Sequence, residues 1–141
     1  MSRPRTLIVI ASAVFLISKT IRGVPDVTVG QCLCGWKDVP GSDEQYLKDR
    51  VLNDLVHHTA GEGFNHYTRV MLGYANFFGH AFCHPALSSM DCVTCLEVAD
   101  IKMLSCCKFR MGSRIKLTSC SLRVEPLFFI DDPFEGEITP P

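Results

Sequence analysis

The residues of this 141-residue chain best suited to chemistry are its eight cysteines. Three are closely spaced, with eight residues between Cys83 and Cys92 and two between Cys92 and Cys95. Asp91 is a favourable helix N-cap directly before an apolar pattern, so Cys92 and Cys95 are predicted to share one face in the first turn of a helix. Thiols in such positions bind metal, exchange with other thiols or form disulfides, and the redox compartment decides among these.

The first residues carry the pattern of a secretory signal peptide. Arg3 and Arg5 precede an apolar run over residues 7–17, and small residues suited to cleavage follow. This run is shorter than the roughly 20 residues that span a membrane, so a membrane anchor is the less favoured interpretation. We expect residues 1–23 to be removed, with Thr20 as the alternative cleavage point to Gly23. The mature protein is then expected to be secreted and to have no membrane span.

The charge of the expected mature chain bears on its partners. Four of the 14 Lys and Arg residues lie within residues 1–23, so ten remain against 15 acidic residues, a net charge of −5 with His neutral. Proteins that bind nucleic acid or disrupt anionic membranes by charge are normally basic. The charge argues against both classes, and the 118 residues left after cleavage are the size of one domain.

An even number of cysteines in a small secreted chain indicates a disulfide framework. A zinc site built from Cys92, Cys95 and the adjacent pair Cys106 and Cys107 is disfavoured, because neighbouring cysteines suit tetrahedral zinc poorly. A thioredoxin-type function of the Cys92–Cys95 motif is equally disfavoured, because no βαβ pattern surrounds it. We therefore expect no metal site and no cofactor.

Hydrophobic periodicity predicts two helices. The first covers residues 43–59, with Ser42 and Gln45 as a capping box at its start. The second begins at Asp91 and stops near residues 110–113. It carries Cys92, Cys95, Cys106 and Cys107 within an arc of about 120°, which is predicted to face the core.

Alternating patterns predict strands around these helices, at residues 26–34, 64–72, 77–83, 114–117 and 119–125. The second and third form a hairpin around a turn at residues 73–76. Helices segregated from antiparallel strands give an α+β fold. Residues 131–141 are acidic and proline-rich and are expected to form a disordered tail, which leaves residues 24–130 as the domain.

The cysteine spacing and three further motifs resemble the plant cysteine-rich domain typified by ginkbilobin, also called the stress-antifungal or salt-stress-response domain. Residues 78–83 (FGHAFC) are similar to its third strand, usually tyrosine-glycine-x-alanine-x-cysteine. Cys95-Leu96 and the helix that follows match its second helix, and residues 112–125 (GSRIKLTSCSLRVE) match its last two strands. The resemblance covers residues 27–130.

This resemblance implies two helices packed on a five-stranded antiparallel sheet and stapled by disulfides. It implies bonds between Cys83 and Cys92, between Cys95 and Cys120, and between an N-terminal cysteine and the end of the second helix. The loop at residues 39–42 and the distance to Gly112 align Cys34 and Cys107 with the last of these bonds. Cys32 and Cys106 then remain as an extra pair, and a fourth disulfide is predicted between them.

The resemblance also implies a binding site, because ginkbilobin-type proteins bind mannose through an asparagine, an arginine and a glutamate. The arginine corresponds to Arg114 and the glutamate to Glu125, and both can form paired hydrogen bonds to vicinal hydroxyls. The asparagine position is Gly35, or Leu33 if Cys32 is the family cysteine. Either assignment loses the amide, and Arg114 and Glu125 alone are also compatible with a simple salt bridge between strands.

These observations predict a secreted, apoplastic plant defence protein of the antifungal type that binds mannose or mannan of fungal walls as a lectin. The alternative is an extracellular disulfide-stapled module that binds a protein partner and no sugar. No nucleophile stands near a base in any recognisable pattern, so no catalytic residues and no enzyme activity are expected. Trp36, Phe77 and Phe78 are interpreted as core residues rather than as a stacking platform.

Overall fold

The computed structural model describes residues 24–131. The expected signal peptide and residues 132–141 of the expected tail lie outside the described residues. The elements follow the order β1 (Val29–Cys34), α1 (Ser42–His58), β2 (Asn65–Leu72), β3 (Ala75–Cys83), α2 (Ser89–Cys107), β4 (Ser113–Leu117) and β5 (Cys120–Glu125). Two helices pack on one antiparallel sheet, and this confirms the predicted α+β class with five strands.

The sheet has the strand order β1-β4-β5-β3-β2. Every pairing is antiparallel, so β1 and β2 form its two edges. Leu33 on β1 lies opposite Arg114 on β4, which in turn lies opposite Arg123 on β5. Arg123 faces His80 on β3, and His80 faces Tyr67 on β2. Side chains in this row point away from the helices because alternate residues of a strand face opposite sides of the sheet.

Helix α1 begins differently from the prediction. Its N-cap is Gly41 in an extended conformation without a side-chain capping bond, and Ser42 already belongs to the helix. The predicted capping box is therefore wrong. The Gln45 amide donates instead to Asp49 one turn later at 2.7 Å, so it is not available to reach back to the helix start. Acidic residues in the first turn, Asp43 and Glu44, complement the positive end of the helix dipole.

Helix α2 begins two residues earlier than predicted. Ser88 is its N-cap and accepts a hydrogen bond from the backbone N–H of Asp91 at 3.0 Å. Asp91 is therefore the third helical residue and not the cap, because a serine three residues upstream satisfies its N–H. Cys92, Cys95 and Cys107 are buried on this helix, whereas Cys106 is exposed, so only three of the four cysteines face the core.

The hairpin between β2 and β3 turns at Gly73 and Tyr74. Gly73 has φ of +58°, a conformation that glycine adopts without steric cost. Further along β3, a Cβ built on Gly79 would lie 2.3 Å from Cγ1 of Val51 and 2.7 Å from Cδ1 of Leu55. Glycine at this position lets α1 approach the sheet closely.

One hydrophobic core fills the space between the helices and the sheet. It includes Leu47, Val51 and Leu55 of α1, Leu96 of α2, and inward residues of the three central strands, namely Phe77, Ala81, Ile115, Leu117, Leu122 and Val124. Trp36 does not belong to it. Its side chain is 82% exposed, which contradicts the expectation that it is a core residue, because it follows the end of β1 in a surface bend.

Four disulfides fasten this core and its edges. Cys83 bonds to Cys92 across the β3–α2 connection, and Cys95 bonds to Cys120 at the start of β5. The other two bridges, Cys34–Cys107 and Cys32–Cys106, tie the edge strand β1 to the last turn of α2. No helix within residues 24–131 has the length and apolar character needed to cross a bilayer.

Candidate functional site

Gly35 and Gly112 lie in direct backbone contact where β1 ends and β4 begins. The N–H of Gly35 donates to the carbonyl oxygen of Gly112 at 2.7 Å. A Cβ on Gly35 would lie 3.2 Å from the nitrogen and oxygen of Gly112. Such a Cβ contact is tight, so a side chain at position 35 would press on the Gly112 backbone.

Glu125 approaches the same glycine from the neighbouring strand β5. Its Oε2 would lie 2.3 Å from a Cβ on Gly112, so the carboxylate occupies the space that a side chain would fill. Gly112 therefore brings Gly35 and Glu125 together. Sequence reasoning placed Gly112 in a family motif without assigning it this position, although a glycine directly before a strand is a known signal of close backbone approach.

The Glu125 carboxylate pairs with Arg123, its neighbour but one on β5. Oε1 of Glu125 accepts a hydrogen bond from Nε of Arg123 at 3.2 Å. Both members are about a quarter exposed, which leaves the pair accessible to a ligand from the solvent side.

Arg114 follows Gly112 by two residues and points to the helix-free side of the sheet. It lines a cavity of about 310 Å³ together with Tyr67, Phe82, Lys116 and Ser121. Gly35 and Glu125 do not line this cavity. The structure therefore brings Gly35 and Glu125 to the same glycine, Gly112, and places Arg114 in a cavity that combines aromatic, cationic and hydroxyl groups.

A network of hydrogen bonds among other residues lines the same cavity. Asp131 pairs with Arg123 and, through Oδ2, with Nδ1 of His80 at 2.5 Å. The other ring nitrogen of His80 lies 2.6 Å from Oδ1 of Asn65, and the Tyr67 ring stacks on the imidazole at a centroid distance of 3.9 Å. Asp131, which was predicted to open the disordered tail, thus takes part in a hydrogen-bonded network on the sheet.

Asp131 is held in its charged form. Burial alone would raise its pKa, but hydrogen bonds from His80 and Arg123 outweigh burial and hold the pKa of Asp131 below its ordinary value. On Arg123, burial is likewise outweighed by Asp131 and Glu125, so the pKa of the guanidinium is raised. The ring of Phe129 lies 4.0 Å from the guanidinium carbon and adds a cation–π contact.

Trp36 is an exposed aromatic group immediately after Gly35. The Lys37 ammonium lies 4.8 Å from its ring centroid, and Arg110 donates to its backbone oxygen at 2.9 Å. Sequence reasoning missed this residue as a site candidate, because periodicity does not reveal whether a tryptophan after a short edge strand is covered. Of the other predicted aromatic core residues, Phe77 is buried and Phe78 is only half-buried.

Two further histidines and the cysteines of β1 and the end of α2 have structural partners. His58 and His66 both contact Asp54, at 3.0 and 2.8 Å. The sulfur atoms of Cys32, Cys34, Cys106 and Cys107 lie within 4.8 Å of one another, which is close enough to hold a metal ion. All four are oxidised to disulfides in this state, so no thiolate remains to act as a ligand.

A cavity of about 490 Å³ separates the two helices. Lys48 lies on its floor, 4% exposed, and donates to the carbonyl oxygen of Arg110 and to Oγ of Ser113 at 3.1 Å. Burial lowers the pKa of Lys48 and raises that of Asp100 on the facing helix. The two bonds of Lys48 tie α1 to residues 110 and 113, on either side of Gly112.

Comparison with known proteins identifies relatives of this chain. A model of the family described as "Salt stress response/antifungal" matches residues 29–126. The antifungal protein ginkbilobin-like protein 1 of Picea glauca is 27% identical over 122 residues, which is 84% of this chain and 86% of that protein. The cysteine-rich receptor-like protein kinase 28 of Arabidopsis thaliana is 39% identical over 68 residues, and that match covers only 10% of the kinase.

Two solved structures share the fold. The tandem DUF26 ectodomain of the cysteine-rich receptor-like protein PDLP5 of Arabidopsis thaliana superposes with a TM-score of 0.66 at 19% identity, and that of PDLP8 with 0.60 at 26%. Each match covers 72% of this chain and about half of the tandem ectodomain. The family match spans both sheet edges and all four disulfides, and the chain belongs to the salt stress response/antifungal family.

Proposed function

We propose that this chain is an extracellular plant defence protein that binds a mannose-containing glycan of fungal walls at the Gly112 junction. Its relatives include proteins named as antifungal and the ectodomains of receptor-like proteins, which act outside the cell. The disulfides support the same location, because bridges persist in oxidising compartments. Binding is favoured over catalysis because none of the described site residues forms a nucleophile–base pair.

The observation that carries this proposal is the meeting of Gly35 and Glu125 at Gly112, with Arg114 two residues away on β4. These are the three positions that the family resemblance assigns to mannose, and they lie at one end of the sheet. The Glu125 carboxylate accepts two hydroxyl hydrogen bonds, and the Arg114 guanidinium donates to ring and hydroxyl oxygens. A glycan at this junction exchanges part of the Arg123–Glu125 pair for these bonds.

Trp36 extends the proposed site. Sugars pack their C–H faces on aromatic rings, because the negative face of the ring attracts positively polarised hydrogens. The exposed ring next to Gly35 offers such a face once Lys37 moves aside. Trp36 in part offsets the missing asparagine amide, which would otherwise have donated and accepted hydrogen bonds at position 35. We therefore expect a weaker and less selective site than one that retains the amide.

Isothermal titration with yeast mannan and with free mannose tests the proposal. The wild type is expected to release heat with mannan, and Glu125→Gln to bind about tenfold more weakly, which corresponds to about 1.4 kcal/mol. Glu62→Gln is the matched control, because Glu62 is an exposed carboxylate far from the junction in sequence. Absence of heat with the wild type, or equal binding by the two variants, contradicts the glycan proposal.

A second candidate is an interaction module that binds a protein and no sugar. Exposed apolar side chains on the helix-free sheet face and the segment after β5 favour it, namely Tyr67, Met71, Phe82, Leu127 and Phe128, each between 41% and 77% exposed. Growth inhibition of a filamentous fungus by wild type and by Glu125→Ala separates the two candidates. Equal inhibition by both proteins supports the module without sugar binding, and loss in the variant supports the glycan mechanism.

A further inference from the structure

Four cysteines where β1 meets the end of α2 form a sulfur cluster: Cys32, Cys34, Cys106 and Cys107. All four Sγ atoms lie within 4.8 Å of one another. The cluster contains two disulfides, Cys32–Cys106 and Cys34–Cys107. The bridges are not insulated from each other, because Sγ of Cys32 lies 3.7 Å from Sγ of Cys107, which belongs to the other bridge.

The four cysteines of the sulfur cluster also differ in solvent exposure. Cys34 and Cys106 are exposed, and Cys32 is half-buried, whereas Cys107 is 2% exposed. A thiol in solution can therefore reach Cys106 but not Cys107. Only a sulfur already inside the cluster can attack Cys107. The other two bridges differ, because their four cysteines are at most 3% exposed.

We propose that the sulfur cluster exchanges its disulfide partners when a small extracellular thiol of the glutathione class attacks it. The thiolate bonds to Sγ of Cys106, the Cys32–Cys106 bond breaks, and Cys32 leaves as a thiolate. Cys32 then bonds to Sγ of Cys107, and the Cys34–Cys107 bond breaks with release of the Cys34 thiolate. Cys34 finally bonds to Cys106 and expels the small thiol, so no net oxidation or reduction occurs.

The exchanged state contains Cys32–Cys107 and Cys34–Cys106 in place of the original bridges. Both arrangements fasten β1 to α2, so the fold does not depend on which is present. They differ in the position they impose on Cys34, which precedes Gly35 and its 2.7 Å hydrogen bond to Gly112. The exchange is thus a thiol-driven modification beside the glycine junction, and it stands whether or not a glycan binds there.

Matched double variants test whether the exchanged pairing can form. Cys32→Ser with Cys106→Ser leaves the original partners Cys34 and Cys107, and Cys34→Ser with Cys106→Ser leaves the crossed partners Cys32 and Cys107. We expect neither variant to contain a thiol that reacts with an alkylating agent after denaturation without reductant. Two alkylated thiols in the crossed variant and none in the matched variant would overturn the proposal.

Trapping in the wild-type protein tests the exchange itself and does not depend on how the variants fold. The protein is incubated with less than one equivalent of glutathione, quenched with acid and alkylated. Disulfide-linked peptides are then fragmented between residues 106 and 107, so that the partners of the two adjacent cysteines are told apart. We expect a glutathione adduct on Cys106 at early times, and Cys32–Cys107 and Cys34–Cys106 links once the exchange is complete. Attack on this cluster should be on the order of tenfold or more faster than on Cys83–Cys92 and Cys95–Cys120, the internal controls. Retention of the original pairing alone, or loss of all four bridges at one rate, refutes the exchange.

Discussion

The backbone N–H of Gly35 donates to the carbonyl oxygen of Gly112 at 2.7 Å, and this bond joins the edge strand β1 to the strand that carries Arg114. A side chain at either glycine would displace a neighbouring group. Gly35 abuts the Gly112 backbone, and Gly112 abuts the Glu125 carboxylate. The candidate site therefore depends on two glycines whose close contact positions the charged groups beside them.

Restoring the missing amide should strengthen sugar binding. A Cβ at position 35 would lie 3.2 Å from Gly112, so Gly35→Asn and Gly35→Ala should both lower the free energy of unfolding by about 1 kcal/mol. Only the asparagine supplies an amide, and it should tighten mannose binding about tenfold relative to the alanine variant. Calorimetric titration measures the affinities, and denaturant unfolding measures the stabilities. Equal affinities in the two variants would show that position 35 does not face the sugar.

Gly112→Ala should disable the Glu125 carboxylate without unfolding the protein. The new Cβ would lie 2.3 Å from Oε2 of Glu125, and the flexible carboxylate would swing away and leave Arg123. We expect mannan binding about tenfold weaker and an unfolding free energy lowered by less than about 1 kcal/mol, since the pair is partly exposed. In a double-mutant cycle with Glu125→Gln, the two losses of affinity should not add. Additive losses would mean that Gly112 acts independently of the carboxylate.

The approach of α1 to the sheet should make Gly79 intolerant of a side chain. Gly79→Ala would place a methyl group 2.3 Å from Val51 Cγ1, and both helix neighbours are fully buried. Overpacking of this kind lowers the free energy of unfolding by about 1–3 kcal/mol, measured by urea denaturation. Gly30→Ala is the control, because its Cβ would meet only Lys116 O at 3.5 Å. Combination with Val51→Ala should recover part of the loss, and no recovery would point to a backbone effect.

Asp131 should stabilise the fold in a pH-dependent manner. Because its folded pKa lies below the ordinary value of 3.8, its contribution is fully present above that value and is lost as the pH falls through the folded pKa. Asp131→Asn should lower the free energy of unfolding by about 1–3 kcal/mol at neutral pH. The difference in unfolding free energy between the variant and the wild type should shrink below about pH 4. Chemical denaturation at a series of pH values measures this difference. Glu62→Gln should show no such trend, and a difference independent of pH would contradict the assignment.

All eight cysteines should be oxidised when the protein is produced in an oxidising compartment. Because the structure bonds Cys32 to Cys106 in addition to the three family-type bridges, alkylation of the denatured protein without reductant should label no residue. Intact-mass analysis before and after alkylation measures this directly. A mass increase corresponding to two labelled thiols would show that Cys32 and Cys106 are unpaired, and then the exchange proposed for the sulfur cluster could not begin at Cys106.

Local patterns determined much of the fold from sequence. Apolar residues at helical spacing placed the starts of both helices within two residues of the observed ones, and alternation placed the hairpin and the last two strands. The helix starts were less predictable. Ser42 and Asp91 each have the chemistry of a cap, but Gly41 and Ser88 occupy the cap positions. Several polar residues near a helix start compete for one role, and local sequence does not rank them.

The sequence by itself determined the α+β architecture and the eight-cysteine framework and, through family motifs, it singled out positions 35, 114 and 125 as candidates for a binding site. These depend on residue type and short-range spacing, which are visible along the chain. Only the tertiary structure decided that Gly112 joins Gly35 to Glu125, that Glu125 pairs with Arg123, that Trp36 is exposed, and that four sulfurs from β1 and α2 lie together. Arg123 and Glu125 are only two residues apart, but which cation Glu125 contacts depends on side-chain placement in the folded sheet. The other contacts join residues distant in sequence or depend on what covers a surface, and the packing of the helices on the sheet sets them.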